Sequence, residues 1–94
     1  MALSFGIAVT QSIPIPEIQR SWRVAEDLGF DSGWVYDHFL GAPDVANPFP
    51  EGWTLLAALL AGTNRIRGGT LVLGNAYRHP AVLAKMAATL DVVS

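Results

Sequence analysis

The chain has 94 residues, of which 51% are hydrophobic and 15% are charged, and its net charge is −2. A domain of this size buries only roughly 60% of its unfolded surface, so the apolar fraction predicts part of a larger core or a chain with a partner. The six basic residues are dispersed, which argues against nucleic-acid binding. The lack of cysteine excludes disulfides and thiolate metal sites and fits a cytoplasmic location. Residues 1–9 do not resemble a signal peptide, and the longest apolar stretch is too short to span a bilayer.

The first third of the chain predicts a strand followed by an amphipathic helix. Residues 3–9 form a short apolar run, which indicates a buried strand. Pro16 suits the first turn of a helix, where its missing N–H is not needed. Apolar residues then recur at helical spacing and predict one buried stripe. Its members are Ile18, Trp22, Ala25 and Leu28. Gly29 stands where a left-handed residue is expected to end the helix.

The middle third repeats this pattern around a long loop. Residues 32–36 combine aromatic and β-branched side chains, which predicts a second strand. Residues 40–50 contain three prolines and predict a loop. The next helix is expected from about Glu51 to about Gly62. It is apolar on nearly all sides, as in a helix that is covered on two sides.

The last third predicts a strand over residues 66–73, a loop over residues 74–79 and a helix that Pro80 opens. The helix has an apolar edge formed by Val82, Met86 and Leu90. Three strand–helix units in series predict a parallel sheet with right-handed crossovers. A parallel sheet has both faces covered, and an eight-unit barrel achieves this with about 250 residues. The pattern therefore requires more chain than these residues supply.

Active sites of β/α barrels lie at the carboxyl ends of the strands. Three segments occupy such positions: 9–11, 37–39 and 73–75. His38 can act as an acid, a base or a hydrogen-bond donor near neutral pH, and Asp37 could orient it or bind a ligand hydroxyl. A solvated pair without a role fits the local sequence equally well. His79 fits a loop or cap residue better than a catalytic one, and no third ligand at metal spacing accompanies the two histidines.

Two adjacent glycines, Gly68 and Gly69, are unusual within a predicted strand because glycine weakens strands. They indicate either the close approach of a ligand or backbone, or tight packing against the helix layer, and the second interpretation is preferred. No GxGxxG or Walker pattern is present, so no nucleotide-binding loop is predicted.

Several segments resemble the luciferase-like monooxygenase family, in the branch that uses the deazaflavin coenzyme F420. They are FGIAV (5–9), AEDLGFDSGWVYDHF (25–39) and residues 53–94, in which RHPAVLAKMAATLD (78–91) is the most specific motif. This resemblance covers almost the whole chain. It implies an α/β fold made of the three N-terminal β/α units of a TIM (β/α)8 barrel, incomplete in this chain, with residues 1–94 as a single truncated domain. Gly68 departs from the family, where a larger apolar residue is usual.

The same resemblance implies a cofactor site at the mouth of the barrel. Its expected residues are Asp37, His38, Leu71, Val72, Gly74 and Asn75. His38 matches the histidine beside the reactive ring and is the candidate catalytic residue, since that histidine assists hydride transfer. Asp37 matches the neighbouring acid that helps to hold the ring. Leu71 and Val72 match a non-prolyl cis peptide that backs the ring, and the two residues at 74 and 75 line the cofactor edge.

The resemblance implies an oxidoreductase that transfers hydride between coenzyme F420 and a small organic substrate, and a homo-oligomer is expected. One alternative is an FMN-dependent monooxygenase, against which an Asp-His pair in place of a Glu-His pair argues modestly. Another is a non-catalytic half-barrel that self-associates through its exposed strand edges. No nucleic acid, membrane or metal partner is expected. The substrate is not predicted, and activity of the 94-residue chain by itself is left open.

Overall fold

Three strand–helix units follow one another in the computed structural model, which describes residues 2–41 and 45–94. The elements are β1 (Gly6–Ala8), α1 (Ile15–Asp27), β2 (Ser32–Val35), α2 (Gly52–Ala61), β3 (Arg67–Thr70) and α3 (Pro80–Val93). The strands form one parallel sheet in the order β1-β2-β3. The predicted element order and parallel sheet are confirmed. Part of the predicted loop over residues 40–50, namely 42–44, lies outside the described residues.

Each strand is shorter than its apolar run predicted. The run over residues 66–73 contributes a strand only at Arg67–Thr70. The Leu71 N–H still donates to the Val35 carbonyl at 2.7 Å, and the chain then leaves the sheet. Apolar runs therefore located the strands but not their ends, because a strand ends where its backbone groups stop pairing with a neighbour.

Helix α1 buries one stripe against the sheet. Ile18 and Trp22 are fully buried and Ala25 is 4% exposed, as the spacing predicted. The prediction for Leu28 was wrong: it is 72% exposed, because it caps the helix after the last turn and no longer follows the stripe. Gly29 has the expected left-handed conformation, with a φ of 92°, and its N–H donates to the Glu26 carbonyl at 3.0 Å.

Helix α2 supplies most of the remaining core. It begins after Glu51, whose carboxylate accepts hydrogen bonds from the Trp53 and Thr54 N–H groups at 2.9 and 2.8 Å. Such a cap satisfies two of the free donors at a helix start. Four leucines of the helix are buried: Leu55, Leu56, Leu59 and Leu60. Burial of one such side chain stabilises the fold by about 1.5–3 kcal/mol, so α2 is the main anchor of the second unit.

Both helices pack on the same face of the sheet through glycine positions. A side chain at Gly33 would come within 2.8 Å of the Trp22 ring. At Gly68 it would meet Leu56 and Leu60 at 2.8 Å, which confirms the interpretation that this glycine allows tight packing of the helix layer. The same interpretation was wrong for Gly69, because this residue lies on the opposite face of the sheet, against the Trp34 ring.

The opposite face of the sheet carries Trp34. Its indole lies across two glycines of the neighbouring strands, since a side chain at Gly6 or Gly69 would come within 2.7 or 2.8 Å of the ring. The indole N–H donates to the Ser32 hydroxyl at 3.0 Å. Within the described part of the chain no helix covers this face, which is the face that a closed barrel would turn toward its axis.

Helix α3 is held less firmly than the other two. None of its described residues is buried, and Val82, at its predicted apolar edge, is 52% exposed. Leu90 packs against the core. Between α3 and α2 lies an open apolar groove of about 570 Å³ that includes Trp53 and Met86. No helix within residues 2–41 and 45–94 is long and apolar enough to cross a membrane.

Candidate functional site

The segments that follow the three strands meet at the carboxyl edge of the sheet. Gln11 follows β1 and hydrogen bonds to the backbone of Tyr36 at the end of β2. The N–H of Gly74, after β3, donates to the Asp37 carboxylate at 2.7 Å. The structure therefore brings together residues that are 25 and 37 positions apart in the chain.

Asp37 lies directly after β2 and is 2% exposed. Its carboxylate accepts hydrogen bonds from Nη1 and Nη2 of Arg78 at 2.9 and 2.8 Å, besides the bond from Gly74. Two parallel bonds from one guanidinium give strong attraction and a fixed relative orientation. A carboxylate offers about four lone-pair positions, and three of them are used within the chain. Asp37 thus ties the second unit to the third.

The charge of this pair decides which group can move a proton. The hydrogen bonds from Arg78 hold the pKa of Asp37 below its ordinary value, although burial acts in the opposite direction. The same hydrogen bonds to Asp37 raise the pKa of Arg78. Asp37 is therefore an anion at neutral pH and cannot serve there as a proton donor.

Arg78 was missed as a functional residue, although it belongs to the most specific motif of the sequence. Its side chain is 12% exposed. Besides Asp37 it lies 3.8 Å from a Glu51 carboxylate oxygen, and its guanidinium carbon lies 5.8 Å from the centre of the Trp53 ring. One signal could have revealed it: opposite charges follow two adjacent parallel strands, whose carboxyl ends meet at one edge.

Gln11 lies in the predicted segment 9–11, but its role was not predicted. It is fully buried, and its Nε2 donates to the carbonyls of Tyr36 and Pro50 at 3.2 and 3.0 Å. The Tyr36 N–H in turn donates to Gln11 Oε1. The side-chain amide therefore pairs with both backbone groups of Tyr36, as a neighbouring strand would. No local pattern predicted this, because the partners lie 25 and 39 residues away.

His38 is exposed at this edge. Its ring stacks between two aromatic rings, with centroids 5.9 Å from Tyr36 and 6.2 Å from Phe49. Nearby, the rings of Phe39 and Tyr77 lie 4.4 Å apart. No hydrogen bond between described residues holds the His38 imidazole, so its direction depends on the backbone and the two neighbouring rings.

The predicted residues after β3 lie beside this histidine's segment. The peptide between Leu71 and Val72 is cis, as the resemblance implied, and both side chains are exposed, at 46% and 70%. Gly74 approaches the Tyr77 ring so closely that a side chain would collide with it. Asn75 is exposed. Of the six predicted cofactor residues, Asp37 and Gly74 are in direct contact.

His79 does not join the site. It is exposed, and its Nδ1 accepts a hydrogen bond from the Ala81 N–H at 3.1 Å at the start of α3. The interpretation of this histidine as a cap residue is therefore confirmed. Within the described ranges, no three acidic or histidine side chains gather as a metal-ligand set would.

The carboxyl edge of a parallel sheet with helices on its outer face is the side on which β/α-barrel enzymes carry their active sites, and the exposed histidine and the buried acid both lie there. The luciferase-like monooxygenase family matches residues 2–94, and the chain belongs to that family. Both the family and the fold class of three barrel units inferred from the sequence are confirmed.

Similar proteins point to one branch of the family. A 5,10-methylenetetrahydromethanopterin reductase of Methanolobus tindarius is 32% identical over 98% of this chain and 26% of the relative. An F420-dependent glucose-6-phosphate dehydrogenase of Amycolatopsis mediterranei is 38% identical over 74% of this chain and 21% of the relative. The solved structure of a coenzyme F420 dependent tetrahydromethanopterin reductase from Methanopyrus kandleri superimposes with a TM-score of 0.79 and 30% identity.

The match to that solved structure includes 97% of this chain, which spans about a quarter (24%) of the longer protein. These relatives are oxidoreductases, and two of the three are named for F420. The F420 branch inferred from the sequence motifs is thus supported by both sequence and structure comparisons.

Proposed function

We propose that the protein that carries this chain transfers hydride between coenzyme F420 and a small organic substrate, with the site formed at the carboxyl edge of β2 and β3. The observation that carries the proposal is the exposed His38 imidazole beside a fully engaged, buried Asp37. The names of the relatives support the same cofactor. None of them supports the FMN alternative.

The residues at this edge fit a flat ring system. His38, Tyr36 and Phe49 form a stacked row with interplanar angles of 28° and 25°. Flat aromatic faces of this kind bind planar rings by offset stacking. The segment from Leu71 to Asn75 follows β3 at the same edge and offers further amide groups. Its Leu71 N–H is bound to the Val35 carbonyl and its Gly74 N–H to Asp37, whereas no hydrogen bond from the Val72 or Asn75 N–H is recorded among the described residues. Coenzyme F420, when bound, supplies a ring carbon that carries hydride.

Each residue has a role that follows from its surroundings. His38 would donate a hydrogen bond or proton to the ring system, because its nitrogens are free of the hydrogen bonds recorded among the described residues. Asp37 would not contact the ring but would fix the position of the segment after β3, through its bonds to Gly74 and Arg78. Leu71, Val72 and Asn75 would support the edge of the ring. Gly74 would allow the Tyr77 ring to pack against the backbone of this segment, since a side chain at this position would collide with the ring.

A fluorescence titration of the purified chain with coenzyme F420 tests the proposal, with FMN titrated in parallel. His38→Ala should weaken deazaflavin binding about tenfold, the effect of one well-placed hydrogen bond to a polar or charged group. The matched control is His79→Asn, which changes the other histidine but keeps a residue that caps helices well.

Equal deazaflavin affinity of the His38→Ala and His79→Asn chains would contradict the role given to His38. Saturable binding of FMN without binding of coenzyme F420 would replace the proposed cofactor by the alternative one. A chain that is folded by circular dichroism but binds neither compound would show that these residues form no cofactor half-site.

A further inference from the structure

We propose that Arg78 is a positioning residue of this site, which sets the place of His38 through its paired hydrogen bonds to Asp37. The inference rests on the proposed function. It assigns Arg78 no contact with the cofactor, because Nη1 and Nη2 of its guanidinium are both bound to the buried Asp37 carboxylate.

The two hydrogen bonds between Arg78 and Asp37 fix the orientation of the carboxylate plane as well as its distance from the guanidinium. The two bonds measure 2.9 and 2.8 Å, and the carboxylate side chain is 1% exposed. A guanidinium matches a carboxylate with two parallel donors, which a lysine ammonium cannot reproduce. Since Asp37 directly precedes His38 in the chain, the place at which Arg78 holds its carboxylate constrains the backbone that carries the imidazole.

Arg78 also connects the segments that surround the histidine. Its partner Asp37 accepts the Gly74 N–H at 2.7 Å, which fixes the loop after β3. Glu51, the cap of α2, lies 3.8 Å from the guanidinium. One cation is thus shared by two carboxylates at the edge, and its removal would leave the buried carboxylate of Asp37 without a neutralising charge.

Conservative substitution separates orientation from charge. In the protein that carries this chain, Arg78→Lys keeps the cation but loses the paired bonds. We expect coenzyme F420 to bind about tenfold more weakly and the ring-proton resonances of His38, which sense the Tyr36 and Phe49 rings, to shift. Arg23→Lys is the matched control on α1, an exposed position without a recorded side-chain partner among the described residues, and it should change neither signal.

A set of three variants distinguishes positioning from direct binding. If Arg78 acts through Asp37, then Asp37→Asn alone, Arg78→Gln alone and the double variant should weaken cofactor binding to a similar extent, because all three break one unit. If Arg78 instead contacts the cofactor, Asp37→Asn would free its guanidinium and binding would be kept or strengthened. That result would overturn the inference. The neutral amide pair of the double variant also keeps the test usable if a single variant fails to fold.

The outcomes also separate this inference from the proposed function. If the unsubstituted protein does not bind the deazaflavin, the proposed function itself is refuted. Normal binding by the unsubstituted protein, together with unchanged affinity and unchanged His38 resonances in Arg78→Lys, would leave the function standing and refute the positioning role.

Discussion

Replacement of Gln11 should weaken the whole fold, although the residue lies in a short loop. Gln11→Leu keeps a side chain of similar size and removes every polar atom of it. The Tyr36 N–H and the carbonyls of Tyr36 and Pro50 then lose their partners. The site is buried, since Gln11 has no exposed surface, so water cannot readily replace the lost bonds.

The expected cost follows from the number of bonds. Each typical hydrogen bond contributes about 0.5–1.5 kcal/mol to stability, and three are lost, so Gln11→Leu should cost about 2–4 kcal/mol. A chain of this length has a total stability on the order of 5–14 kcal/mol. The loss is a large fraction of it and should lower the urea midpoint by about 1–2 M.

The assay is urea unfolding followed by circular dichroism, with Gln19→Leu as the control. Gln19 is a half-exposed residue of α1 with no hydrogen bond among those recorded for the described side chains. If Gln11→Leu and Gln19→Leu shift the midpoint equally, the three bonds do not stabilise the fold and the reasoning fails.

Gln11→Glu adds a pH dependence with a fixed sign. The introduced carboxylate would face two carbonyl oxygens, which raises its pKa in the folded state above the unfolded value of about 4.3. Because a protonated carboxyl can donate to only one of the two carbonyls, the penalty should be smallest below about pH 4 and should grow as the pH rises toward neutrality. A penalty that is constant between pH 3 and pH 7, on the order of what Gln11→Leu causes, would show that the amide does not donate to these carbonyls.

Two further positions test the frame around the site. Gly52→Ala should destabilise the chain by about 1–3 kcal/mol or more, because the new methyl would collide with the Tyr36 carbonyl, whereas Gly62→Ala, with contacts at 3.6 Å, should change the urea midpoint little. Glu26→Gln should lower the urea midpoint at pH 7 but not at pH 2–3. Backbone hydrogen bonds from Arg65 and Ile66 lower the pKa of Glu26 in the folded chain. The contribution of Glu26 to stability is therefore present above about pH 4.3 and is lost as the pH falls through its folded pKa. Asp27→Asn, at an exposed neighbouring position, is the control. A Glu26→Gln midpoint that matches the unsubstituted chain at pH 7 would show that the hydrogen bonds from the backbone of residues 64–66 to this carboxylate do not stabilise the fold.

The sequence was sufficient for features that depend on neighbours in the chain. Pro16 in the first turn of α1 and the left-handed Gly29 after it follow from backbone restrictions of single residues. The parallel sheet follows from the alternation of strands and helices. Leu28 shows the limit of this reasoning, because periodicity alone does not indicate at which residue the helix, and with it the buried stripe, ends.

The supports of the site were not predicted, because they depend on residues that are distant in sequence. Arg78 and Asp37 are 41 positions apart, and Glu26 binds backbone groups 38 to 40 positions away. Such contacts exist only once three strands lie side by side in register. The resemblance found the exposed His38 and the buried Asp37, but not Arg78 and the role of Gln11, which hold the backbone around them.

His38 shows why the buried residues matter for the chemistry. Among the described residues its imidazole has ring contacts but no recorded hydrogen bond, so nothing attached to the ring itself fixes its direction. The backbone before it is held from both sides, by Gln11 at Tyr36 and by Arg78 at Asp37. A group that must lie within hydrogen-bond distance of a reacting ring requires such support. The first and third units therefore determine where the catalytic candidate of the second unit points.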